Sequence, residues 1–181
     1  KKYDVQVIFT TPFPDIRRVA EATENLIVFA PSMDPIPVGR GLANILPESV
    51  RAAGADGVML NHVEKQLSYL TLKNTMDRAN ELNMLTLICS DSTVEAKAAA
   101  LLAPTVITAE PNDLIGTGKA SDLSYIRTSV EAIHSINPDI YVLIGAGISC
   151  GQDVYNVIKE GADASGSSSA VACAKDKRAI V

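Results

Sequence analysis

A rhythm governs this sequence: short apolar runs of strand length recur along it, separated by stretches whose apolar residues fall at helical spacing. The runs are Val5–Thr10, Leu26–Ala30, Gly57–Asn61, Leu85–Ser90, Val106–Glu110, Tyr141–Gly145 and, more weakly, Ala164–Ser169. Their starts lie roughly 20 to 35 residues apart, the length of one β/α unit. Helix signals fill the gaps. Pro47 stands at a first-turn position before Glu48–Ala53, and Gly54 stands where a glycine ends a helix. Ser149 and Gln152 have capping-box spacing ahead of Asp153–Glu160, which Gly161 closes. Lys65–Leu82 and Thr93–Leu102 carry apolar residues at helical intervals. A short repeat fits the same plan: Gly54-Ala55-Asp56 and Gly161-Ala162-Asp163 each join a helix end to the next strand. The expectation is an α/β protein of parallel strands flanked by helices, with residues 1–181 as one domain. Seven strands leave two architectures open, a closed eight-stranded barrel and an open doubly wound sheet.

Composition narrows the partners. Nearly half of the 181 residues are apolar, only 4% are aromatic and none is Trp. A core of Val, Ile, Leu and Ala suits buried parallel strands. The net charge is −5, with acids and bases interspersed, so no basic stripe exists to replace the counterions of a nucleic acid. No apolar run approaches the ~20 residues of a membrane span, and no secretory leader is recognisable. Cys89, Cys150 and Cys173 are widely spaced with no C-x-x-C pair, as expected of reduced thiols in a cytoplasmic protein.

In either architecture ligands bind at the carboxyl ends of the strands. The third run ends in Asn61-His62-Val63-Glu64, the fifth in Glu110-Pro111 and Ile115-Gly116-Thr117-Gly118, the sixth in Gly145-Ala146-Gly147-Ile148-Ser149. The last ends in Ser165-Gly166-Ser167-Ser168-Ser169-Ala170. A carboxylate at the close of an apolar run, held extended by the following Pro, can serve as a general base. The plainer reading of Glu110 is a carboxylate stabilising the next helix. His62 can donate to a carbonyl or can simply be packed; with Glu64 it also makes a potential but incomplete metal pair. Gly145-Ala146-Gly147 suits an anion cradle or an ordinary tight turn. Gly116 and Gly118 suit a phosphate cradle, a lid hinge or a plain loop. His134 reads as a solvated residue on a helical face, and Lys175–Arg178 as an exposed helix start.

The combination is more specific than its parts. His-x-Glu, then Glu-Pro-x-x-x-Ile-Gly-Thr-Gly, then Gly-Ala-Gly-Ile-Ser, in this order, closely resembles the triosephosphate isomerase family in its short, archaeal-type form. Asp34-Pro35-Ile36 and Asn44-Ile45-Leu46-Pro47-Glu48 are similar to that form's third-loop region, and the resemblance runs from Val5 to Asp176. It implies a (β/α)8 barrel and interconversion of dihydroxyacetone phosphate and glyceraldehyde 3-phosphate through an enediolate, a step of glycolysis and gluconeogenesis. By resemblance Glu110 is the base, His62 the neutral electrophile and Glu64 its supporting acid. Pro111–Gly118 would be the lid, and Ile115, Gly116, Gly147, Ser168 and Ser169 match positions that contact the substrate or its phosphate. No metal or organic cofactor is implied. A homodimer or homotetramer is.

Three departures accompany the resemblance. The chain starts after the family's first strand, which carries an Asn and a Lys at the substrate, so it corresponds to strands two to eight; we expect that strand to exist upstream. Gly166 and Ser167 stand where relatives have bulky apolar residues, and Ala170 replaces a phosphate-loop glycine, so the last strand is expected to pack poorly. The last helix stops near its start, at Val181. Two other activities stay open on sequence alone: isomerisation of a tetrulose phosphate, suggested by changes at Arg40–Ala43 and in the last phosphate loop, and sugar-phosphate binding without turnover, suggested by the missing Lys.

Overall fold

The computed structural model describes residues 4–111 and 122–180. Seven strands are hydrogen-bonded in sequence order, β1 (Val7–Thr10), β2 (Leu26–Ala30), β3 (Gly57–Leu60), β4 (Leu85–Ser90), β5 (Val106–Ala109), β6 (Tyr141–Ile144) and β7 (Ala164–Ser165). The neighbours run parallel. A doubly wound sheet reverses its strand order at a switch point, and here no reversal occurs. The winding is therefore that of a β/α barrel, with seven strands among the described residues where a closed barrel has eight. By its internal contacts the chain divides into two compact units, Lys1–Leu87 and Ile88–Val181, within β4.

In the first unit β1 pairs with β2 from Val7↔Leu26 to Thr10↔Phe29, and β2 with β3 at Phe29↔Gly57 and Ala30↔Val58. Helices α1 (Ile16–Ala22), α2 (Pro47–Ala52) and α3 (Tyr69–Glu81) accompany them. Val28, Phe29, Ala30, Val58 and Leu60 are buried, as are Leu72, Met76 and Ala79 of α3, one stripe at helical spacing. Gly57 is dictated by close approach: a Cβ there would lie 2.4 Å from the Phe29 ring and 2.7 Å from the Leu85 carbonyl. The helix expected from Lys65 starts later. Val63–Lys65 is a separate 3-10 turn, Gln66 is extended, and the Ser68 side chain caps α3 by accepting from the Thr71 N–H at 3.1 Å.

In the second unit β5 pairs with β6 from Val106↔Tyr141 to Ala109↔Ile144, and β6 with β7 at Leu143↔Ala164 and Ile144↔Ser165. Helices α4 (Thr93–Ala100), α5 (Leu123–His134), α6 (Gly151–Lys159), α7 (Ser169–Ala172) and α8 (Lys177–Ile180) complete it. The cap of α6 differs from the Ser149–Gln152 pair expected. Asp153 accepts from the backbone N–H groups of Ser149 (2.9 Å) and Cys150 (3.1 Å) and from the Ser149 hydroxyl (2.8 Å). A carboxylate one turn into the helix satisfies more orphan donors than a hydroxyl before it. His134 is half-buried rather than solvated, with Nε2 3.2 Å from the Ile140 carbonyl oxygen.

The Gly-Ala-Asp repeat does the same work in both units. Gly54 and Gly161 take φ of +100° and +101°, where an L side chain is strained. The Asp56 N–H donates to the Val28 carbonyl (2.7 Å), and its carboxylate accepts from the Val28 N–H (2.9 Å). Asp163 repeats this on Val142, at 2.9 and 2.8 Å. Each aspartate thus pins the start of its own strand to the neighbouring one.

Candidate active site

Each unit has its own set of strand carboxyl ends. In the first, β3 ends at Leu60, and Asn61 turns the chain with φ +60°. Asn61 Oδ1 accepts from the Leu67 N–H at 2.9 Å, which brackets the segment between them. Inside that bracket His62 is the N-cap of the 3-10 turn, and the Lys65 N–H donates to its carbonyl at 2.8 Å. The ring is partly buried, and Nδ1 accepts from the Glu64 N–H at 3.4 Å. The Glu64 carboxylate also lies 3.7 Å from Nδ1 but is 86% exposed, and it would pair only with a protonated ring. The two contacts ask opposite things of one nitrogen. A backbone N–H cannot be anything but a donor, so Nδ1 is the acceptor and the ring proton sits on Nε2. In this arrangement the Nδ1 lone pair is engaged and Nε2 carries the ring N–H.

Behind this turn the β2–α2 loop is organised by Asp34. Its carboxylate accepts from the Ile45 N–H (2.7 Å), the Asn44 amide (3.4 Å) and Lys65 Nζ (3.4 Å), and its own N–H donates to the Ile45 carbonyl (3.0 Å). Burial alone would push this acid's pKa up. The Ile45 hydrogen bond, the Lys65 charge and the side-chain bonds together outweigh it, so the carboxyl lies below its ordinary range. Arg78 of α3 holds the same loop from the other side, donating to the Ile36 carbonyl at 3.3 Å and pairing with Glu48 and Glu81.

In the second unit Glu110 follows β5, and its N–H donates to the Ser90 carbonyl at 3.0 Å, extending the ladder one residue beyond the strand. Its partly buried carboxylate lies over the α-carbon of Gly145. A Cβ built there would stand 3.2 Å from Oε1 and 3.4 Å from Oε2. Glycine at 145 therefore makes the space the carboxylate occupies. Beneath lies Cys89 of β4, 7% exposed, its thiol pushed up to about 12 by burial and by the Glu110 charge. Gly147 takes φ +73°, a turn conformation that suits glycine.

The serine-rich exit is held by hydrogen bonds in place of apolar packing. Ser165 Oγ lies 3.5 Å from the Ile144 carbonyl oxygen, and Ser167 Oγ donates to the Ile148 carbonyl at 2.9 Å. Leu143 fills the space over Gly166, its Cδ2 standing 3.2 Å from where a Cβ would be. Ordered strand is confined to two residues, shorter than the Ala164–Ser169 run expected. Ser168 and Ser169 follow, both exposed, at the start of α7.

Ile115 and Gly116 lie outside the described residues, as does most of the expected lid. Among the described residues no group of three His, Cys, Asp or Glu side chains could hold a metal ion, and no helix is long and apolar enough to cross a membrane. The sequence carries no sign of the contacts of Lys65 with Ser32 and Asp34, of Ser167 with Ile148, of Cys89 with the Glu110 charge, or of Glu110 with Gly145.

Parallel strands paired in sequence order, without a reversal, define a protein of the β/α-barrel class. The Triosephosphate isomerase family model matches residues 1–181. Relatives named triosephosphate isomerase include those of Methanothermus fervidus, 33% identical over 98% of this chain and 81% of the relative, and Saccharolobus solfataricus, 35% identical over 100% and 80%. That of Sulfolobus acidocaldarius is 36% identical over 100% and 79%. The chain belongs to the triosephosphate isomerase family.

Proposed function

We propose that this protein interconverts dihydroxyacetone phosphate and glyceraldehyde 3-phosphate, with residues 1–181 acting as one β/α barrel domain. The observation that carries the reading is the Nδ1 contact of His62 with the Glu64 N–H, which leaves Nε2–H as a neutral donor. A neutral imidazole is matched to an enediolate, since the two share similar proton affinity, whereas an imidazolium would trap the intermediate. That role is the family's own, carried to His62 by position. Glu110 moves the proton between the two carbons. The space over Gly145 and the extension through Ser90 fix where its carboxylate sits. Glu64 supports the turn through its backbone N–H.

Ile115, Gly116, Gly147, Ser168 and Ser169 are proposed contacts to the substrate and its phosphate, by family position. The reading includes a cytoplasmic homodimer or homotetramer working in glycolysis and gluconeogenesis without a cofactor. Val38 and Leu42, apolar and exposed on the β2–α2 loop, support an assembly that covers them.

Glu110→Gln keeps shape and removes the base. In a coupled assay on glyceraldehyde 3-phosphate we expect kcat to fall by about 10²- to 10⁴-fold. Turnover within a few-fold of the parent would remove Glu110 from the mechanism.

A further inference from the structure

We propose that Lys65 is a positioning residue for His62, fastening the turn that carries the imidazole to the exit of β2. This rests on the reading of His62 as the electrophile. The bond that sets the His62 tautomer is long, 3.4 Å from the Glu64 N–H to Nδ1. At that distance a shift of a few tenths of an ångström ends it. So weak a contact does not hold itself in place, and the turn must be held by something else.

The bond from the Lys65 N–H to the His62 carbonyl, 2.8 Å, closes the turn itself, and two side-chain restraints fasten it to its surroundings. Asn61 brackets the turn from behind through the Leu67 N–H at 2.9 Å. Lys65, its last residue, reaches back to Ser32 Oγ at 3.1 Å and Asp34 Oδ1 at 3.4 Å. The anchor at the far end is rigid. Ser32 and Met33 are buried, and Asp34 is tied to Ile45 by both its N–H and its carboxylate. As a stability contribution a half-exposed ammonium on a carboxylate is worth little. Its effect is geometric: it keeps the Glu64 N–H aimed at Nδ1, and thereby keeps the proton on Nε2. The same lysine joins the electrophile's turn to the β2–α2 loop, so a change in that loop is felt at the imidazole.

The test exploits composition. The chain has two histidines, so nitrogen-15 correlation spectra of the imidazoles give His62 with His134 as an internal reference. Lys65→Met is expected to shift the His62 ring nitrogens from an Nε2–H pattern towards a mixture of tautomers and to leave His134 unchanged. In the assay kcat should fall on the order of ten-fold with KM within about two-fold, since a small misplacement of a reacting group acts on the chemical step. Lys65→Arg should restore both. Ser32→Ala, which removes the shorter of the two contacts without touching the turn, should give a smaller shift of the same sign. Lys65→Met with parental His62 signals, or with a lower melting temperature and an unchanged tautomer, would overturn the proposal. A tautomer shift in a protein that never turns over triose phosphate would uphold the tether and reject the isomerase reading.

Discussion

A carboxylate beside a buried thiol suppresses the thiolate, and Glu110 stands in that relation to Cys89. With a pKa near 12 and 7% exposure, Cys89 remains a protonated, inaccessible thiol at neutral pH. Cys150 and Cys173 are exposed. At pH 8 an aromatic disulfide reagent should therefore modify two thiols promptly and the third only after denaturant is added; three prompt thiols would mean that the packing under Glu110 is open. This scale also shows what a sequence can and cannot disclose. Glu110 and His62 came forward as candidates through the order of the motifs that carry them, since each residue taken singly has a plainer reading. Lys65 and Ser167 were not. Their partners lie 33 and 19 residues away, and one sequence carries no signal for a bond at that separation.

At the scale of elements the strand positions followed from the apolar runs, and the ends did not. Three of the runs lose their last residue, Asn61, Glu110 or Gly145, to the loop that follows, and the first run loses Val5 and Gln6 at its start. The start of α3 slipped by four residues for a local reason: two competing helix starts, Val63 and Ser68, differ in having a capping hydroxyl. The Gly-Ala-Asp repeat was visible as a pattern, but the double hydrogen bond each aspartate makes was not. It has a measurable weight. Asp163→Ala leaves the Val142 N–H without its acceptor, and we expect a loss of about 1–3 kcal/mol in urea unfolding. Asp163→Asn keeps an acceptor and should lose less. Equal losses for the two would assign the effect to charge instead of to the bond. Ser165 and Ser167 correct the expectation of a poorly packed last strand in part: apolar volume is missing, but Leu143 and two hydroxyl contacts occupy its place.

For the whole molecule, sequence order of the strands is the observation that chose between barrel and doubly wound sheet, and periodicity could not supply it. A motif in family order could. Assembly belongs to this scale too. Light scattering at micromolar concentration should give two or four times the protomer mass, and a persistent protomer would remove the dimer or tetramer from the proposed function. The aspartate pins have a further consequence, for how such a chain can change over generations. Each fixes strand register from the amino end, and a slip of one residue would turn every following side chain to the opposite face. Insertions and deletions are thus barred from the three-residue links at Gly54 and Gly161, while the loops at the other end stay free to vary in length. The molecule has a grain: one rim keeps count for the lineage, and the opposite rim is where a new substrate can be tried without losing it.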